Sequence, residues 1–150
     1  MAVWYPTAAA PKPHTYGGPT RGNVAVDAAP LPGPYPLLVF SHGYGGGGTS
    51  SVFFTEALAA RGWIVACPDH HDEDSLVRIR GGHVRDARRL RFVRNAKKLS
   101  ASGPEDRGKY LYRLDELRAA LDGILASGRF GRSIDKARVA DAARALHTAF

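Results

Sequence analysis

Two short, almost uninterrupted apolar runs stand out along the chain, Pro-Leu-Leu-Val-Phe at residues 36–40 and Trp-Ile-Val-Ala-Cys at residues 63–67. Runs of this length without alternation mark strands buried on both faces, and such strands belong to parallel sheets covered by helices. Between them Ser50 or Ser51 can cap a helix reaching about Arg61. Val52, Leu58 and Ala59 form its apolar stripe, Phe53 or Phe54 assists, and Gly62 ends it. Strand, helix and strand make a βαβ unit, so the crossover should be right-handed and the sheet parallel.

Residues 1–35 carry Pro6, Pro11, Pro13, Pro19, Pro30, Pro32 and Pro34, which exclude long helices there. Two antiparallel edge strands are expected, at residues 2–5 and 23–26. Downstream, residues 69–109 form a polar excursion in which a helix over about 84–97 is allowed. A strong helix is predicted over 110–127, with Leu114, Leu117, Leu121, Ile124 and Leu125 at helical spacing, Glu105 and Asp106 near its start, and Gly128 as its stop. Residues 137–140 look like the opening of a third parallel strand. Instead, Asp141 can cap a terminal helix whose apolar positions are Val139, Ala143, Leu146 and Phe150.

Composition adds limits. The 150 residues are 44% hydrophobic and 23% charged, ordinary for one soluble domain with a real core. The single cysteine, Cys67, has no internal partner, no signal-peptide pattern opens the chain, and no apolar run has spanning length, so a cytoplasmic protein without a membrane role is expected. The net charge of +7 is concentrated. Arg78, Arg80, Arg85, Arg88, Arg89, Arg91, Arg94, Lys97 and Lys98 face one acid, Asp86. Val84, Ala87, Leu90 and Val93 give that segment an apolar face, and stacking aromatics are missing apart from Phe92, so a solvated amphipathic helix is favoured over a nucleic-acid site.

The candidate chemistry lies in the glycine loop after the first buried strand, Ser41-His42-Gly43-Tyr44-Gly45-Gly46-Gly47-Gly48. Glycines between a strand and a helix let backbone N–H groups converge on a negative oxygen. One reading is an oxyanion hole. Another is a dinucleotide loop, since Gly43, Gly45 and Gly48 satisfy G-x-G-x-x-G and Asp69 could hold a ribose, but a run of four glycines meets that pattern by chance. A plain turn is the third.

The stretch from Pro36 to Gly46, together with Leu58-Ala-Ala-Arg-Gly-Trp-Ile-Val-Ala-Cys-Pro-Asp-His, resembles α/β-hydrolases of the dienelactone hydrolase and platelet-activating factor acetylhydrolase type, which include bacterial polyester hydrolases. Trp4-Tyr5-Pro6 and the segment from Tyr112 to Asp122 are similar too. The resemblance implies a partial α/β-hydrolase fold, mostly parallel, with flanking helices and an antiparallel N-terminal edge. It assigns the oxyanion donor to the Tyr44 N–H in the loop begun by Gly43, makes His42 a loop support, and implies a small ester or lactone as substrate. No cofactor, metal or nucleic acid is implied.

In that family, a stretch like Asp135-Lys-Ala-Arg-Val-Ala140 leads into the nucleophile elbow G-x-S-x-G, with the acid and base later. Here Asp141 to Phe150 follow, with no Ser, Cys or Gly. Ser50 and Ser51 read as caps and Ser41 as a strand end. His70, His71 and Asp72 follow a strand without an evident partner, and the run from Asp69 to Asp74 lacks metal-ligand spacing. The expectation is therefore the N-terminal part of a serine-type hydrolase, truncated or frame-shifted and inactive alone. Its first strand would be left as an exposed edge, open to self-association. The alternative is a small non-catalytic module binding an anion or nucleotide at the Gly43–Gly48 loop.

Overall fold

The computed structural model describes residues 1–16, 20–43, 46–71, 93–95, 108–109 and 111–139. Strands β1 (Ala2–Trp4), β2 (Lys12–Thr15), β3 (Arg21–Val24), β4 (Leu37–Val39) and β5 (Ile64–Cys67) accompany helices α1 (Val52–Ala59) and α2 (Leu111–Ala126). Short 3-10 turns follow at Gly131–Ser133 and Lys136–Arg138.

The central sheet has the order β1-β5-β4. β4 and β5 run parallel with Leu37 opposite Ile64, and β1 lies antiparallel to β5 with Ala2 opposite Cys67. All four residues of β5 are buried, as expected for a strand with neighbours on both edges and helices on both faces. Its side chains alternate between two cores. Ile64 and Ala66 join Leu37, Ile124, Phe130 and Ile134 on the α2 side, whereas Val65 and Cys67 join Trp4, Val52 and Ala59 on the α1 side. Among the described residues no helix is long and apolar enough to cross a membrane.

The βαβ reading holds in its parts. β4, α1 and β5 occur where the apolar runs place them. Gly62 ends α1 in the left-handed region (φ +83°), while the Gly62 and Trp63 N–H groups donate to Ala59 and Leu58 carbonyls, closing the last turn. Ser51 occupies the cap position of α1 but makes no side-chain cap, and Phe53 is 80% exposed, so Thr55 takes the buried place on the inner face.

Two expectations need correction, the mostly parallel sheet and the second N-terminal edge strand, which lies at Arg21–Val24 instead of 23–26. A mostly parallel sheet is not what the described residues show: one parallel pair stands beside one antiparallel pairing, and β2–β3 form a separate antiparallel hairpin. Proline removes a donor, yet β2 accommodates Pro13, since among the described residues β2 has no strand on its other edge. At 137–139, where the sequence only opens like a third parallel strand before breaking off, no strand forms. Ile134 makes one parallel bridge to Tyr35, and then the Asp135 carboxylate accepts from the Ala137 N–H at 3.1 Å and from Arg138 Nε at 2.6 Å, turning the chain into a 3-10 helix. The helix expected over 84–97, apart from helical residues 93–95, and that over 141–150 lie outside the described residues, as does the acidic pair Glu105 and Asp106.

Candidate functional site

β4 and β5 end side by side, and the segments leaving their carboxyl ends meet there, the place where open α/β sheets bind ligands. His42 is 2% exposed and engages backbone with both ring nitrogens. Nδ1 donates to the Gly43 carbonyl at 2.8 Å, and Nε2 accepts from the His70 N–H at 3.2 Å. Arg113, from the first turn of α2, donates to the His42 carbonyl at 3.0 Å. The end of β4 is thus tied to β5 and to α2.

The glycine loop is closed on itself beyond this point. The Gly46 N–H donates to the Gly43 carbonyl at 3.0 Å, and the Gly47 N–H to Ser50 Oγ at 2.8 Å. The Gly48 N–H donates to the Asp69 carboxylate at 2.7 Å. A Cβ at Gly48 would meet the Cys67 carbonyl at 2.6 Å, so only glycine lets the loop press against the end of β5. Three of the amides needed by a dinucleotide loop are therefore engaged, and Asp69, the candidate ribose ligand, neutralises one of them. Gly43 differs: it is exposed, and a Cβ there would meet nothing within 4 Å. Tyr44 and Gly45 lie outside the described residues.

A second feature joins residues that spacing does not connect. His70 Nε2 lies 2.7 Å from Ser41 Oγ, and His70 Nδ1 lies 2.7 Å from Glu116 Oε2 on α2. The other Glu116 oxygen accepts from the His71 backbone N–H at 3.2 Å and pairs with the His71 ring at 2.5 Å. Burial opposes ionisation of Glu116, but hydrogen bonds from His71 and His70 outweigh it and hold its carboxyl below the usual range. The His70 ring is fully buried, and desolvation pushes its pKa down, with Arg113 and His42 adding to the shift and Glu116 opposing it. The ring is consequently neutral at pH 7, with Nδ1–H donating to the carboxylate and Nε2 accepting from the Ser41 hydroxyl. Hydroxyl, imidazole and carboxylate in that order form the relay by which a base activates a nucleophile.

Sequence reading placed His70 and His71 without an orienting partner, because Glu116 is 46 residues further on. The turn-spaced apolar stripe of the predicted helix did locate α2, but it did not indicate which of its polar residues would face β5. Asp72 lies outside the described residues. Among the described residues no group of three or more His, Cys, Asp or Glu is arranged to hold a metal. Cys67 is no rival nucleophile: it is buried, and desolvation pushes its thiol up to about 12.

A parallel βαβ unit with a His-Gly loop at the carboxyl end of its first strand is an α/β assembly of the hydrolase kind. The sequence matches the family described as Platelet-activating factor acetylhydrolase, isoform II, over residues 18–105, more than half of the chain. The chain belongs to that family, within the α/β-hydrolase superfamily. The matched stretch contains β3, β4, the glycine loop, α1, β5 and both His70 and His71, but not Glu116. No solved structure matches the chain at a significant level.

Proposed function

We propose that this chain works in carboxylic ester or lactone hydrolysis and supplies the electrostatic part of that chemistry, a backbone cradle for the oxyanion of a tetrahedral intermediate. The observation that carries this reading is the anchoring of the loop. His42, Arg113 and the Gly48–Asp69 contact fix it at the carboxyl edge of the parallel pair while leaving Gly43 exposed. Donors held in place before reaction need no reorganisation as charge develops, and one such donor contributes roughly 2.7–4 kcal/mol to the barrier. The Gly43 and Tyr44 amides are the assigned donors. The G-x-S-x-G motif of the family nucleophile occurs nowhere in the 150 residues, so the chain alone sustains no ester turnover. A cytoplasmic setting suits its single, unpaired thiol.

Two measurements on the purified chain test the reading. A methylphosphonate anion, an oxyanion mimic, should shift the amide NMR resonances of Gly43 and Tyr44 and leave those of Gly46, Gly47 and Gly48 in place. Shifts confined to the latter three would favour the anion- or nucleotide-binding module instead. Steady release of p-nitrophenol from p-nitrophenyl butyrate over many turnovers, blocked by a serine-directed phosphonate, would overturn the claim that the chain alone is inactive.

A further inference from the structure

We propose that Ser41 is a self-contained acyl acceptor, activated by His70 with Glu116 as its positioning residue, and that it takes small acyl groups from activated carboxylic esters. The inference deepens the ester-hydrolase reading and rests on it. The Ser41 Oγ–His70 Nε2 and His70 Nδ1–Glu116 Oε2 distances are both 2.7 Å, within hydrogen-bond reach at each step. Three features set this relay apart from an ordinary polar contact. The His70 ring is fully buried, so its nitrogens have no water to share. Its backbone N–H is held by His42, which fixes where the ring can sit. Glu116 is held in turn by the His71 N–H and ring. Ser41, by contrast, is only half-buried, and it stands two residues before exposed Gly43, beside which there is open space among the described residues.

In the step itself, Ser41 Oγ bonds to the acyl carbon as its proton passes to His70 Nε2. The carbon–oxygen bond to the leaving group then breaks, and the proton leaves with the departing oxygen or passes to solvent. An aryl oxide departs readily, whereas the serine ester left behind is an alkyl ester. With a poorer leaving group, that serine ester hydrolyses more slowly than it forms. Acylation without appreciable deacylation follows, which appears as a burst.

The experiment is stopped-flow mixing of the whole chain with p-nitrophenyl acetate, followed by peptide mass spectrometry. A burst approaching one equivalent of nitrophenolate per chain, with acetyl on Ser41, is expected. Ser41→Ala should abolish it, and His70→Gln should slow it about a hundredfold, the usual scale of general-base assistance. Glu116→Gln should slow the burst and also move the midpoint of its pH profile to lower pH, because the hydrogen bond to Glu116 raises the basicity of His70. A merely structural brace would change thermal stability in these variants without moving that midpoint. Circular dichroism of each variant separates loss of fold from loss of reactivity, and Ser41→Cys, which keeps a nucleophile, should remain acylable. Absence of a burst, or acetyl only on lysines or on Ser50 and Ser51, overturns the inference and leaves the oxyanion reading standing. Sustained turnover that survives Ser41→Ala would instead overturn the claim of inactivity.

Discussion

Tyr16 shows how one side chain fastens separate pieces of this molecule. Its hydroxyl accepts from Trp4 Nε1 at 3.1 Å and donates to Glu56 Oε1 at 2.8 Å, while Glu56 Oε2 accepts from the Asn23 N–H at 3.3 Å. The central sheet, the hairpin and α1 thereby share one hydrogen-bonded node. Desolvation pushes the Tyr16 phenol above its ordinary value of 10.0, with the neighbouring Glu56 adding to the shift. Tyr16→Phe leaves the Trp4 N–H without its acceptor and Glu56 Oε1 without the tyrosine donor, and should cost about 1–3 kcal/mol in urea unfolding, with a change in Trp4 emission. A folded pKa above the unfolded one means that this contribution is complete below pH 10 and fades above it. The wild type should therefore lose stability at alkaline pH faster than Tyr16→Phe. None of this was readable in advance, because Tyr16 and Glu56 are 40 residues apart and neither belongs to a recognisable motif.

At the scale of elements, hydrophobic pattern was informative where burial is two-sided and less so where it is graded. The unbroken run of β5 translated directly into a strand with every residue buried. The stripe on α2 located the helix but not its weight-bearing residue. Only Ile124 is fully buried there, packed on Leu37, Ile64, Phe130 and Ile134, while Leu121 and Leu125 flank it and Leu114 is 45% exposed. Ile124→Ala should destabilise by about 2–5 kcal/mol, the range for truncating a buried aliphatic side chain. Leu114→Ala should stay within about 0.5 kcal/mol, as surface substitutions do. Equal losses in denaturant unfolding would show that α2 packs along its whole stripe. Strand β2 escaped the pattern because Lys12, Pro13, His14 and Thr15 have no apolar alternation, whereas β3 overlaps the strand expected at 23–26; the hairpin is held by backbone hydrogen bonds, by Glu56 and by Tyr16 and Val24 against the α1-side core.

For the molecule as a whole, the charged groups at the carboxyl edge link the site to stability. His70 is packed against Ser41, His42, Arg113 and Glu116, and Glu116 against both His70 and His71. The loop and the parallel pair were legible from residues 36–67 alone, since a βαβ unit is local in sequence, but the relay needs α2 to return across the sheet, which no spacing encodes. That return has a measurable consequence. The folded pKa of His70 lies below its ordinary 6.5, chiefly because burial disfavours the imidazolium, so the unfolded chain binds a proton first as pH falls. Stability from this group is complete above pH 6.5 and declines as pH falls from there toward the folded pKa. Glu116, also held below its ordinary 4.5, contributes above that value and is lost in a second, more acidic decline. Urea midpoints measured from about pH 8 to well below pH 4.5 should fall in two stages at constant m-value. His70→Gln should be less stable at neutral pH, by about 1–3 kcal/mol for the partners it leaves unpaired, yet should lack the upper stage. A flat profile through the upper stage in the wild type, or the same upper stage in His70→Gln, would mean that the buried imidazole is not the group that resists protonation, and the relay would then have no neutral base at its centre.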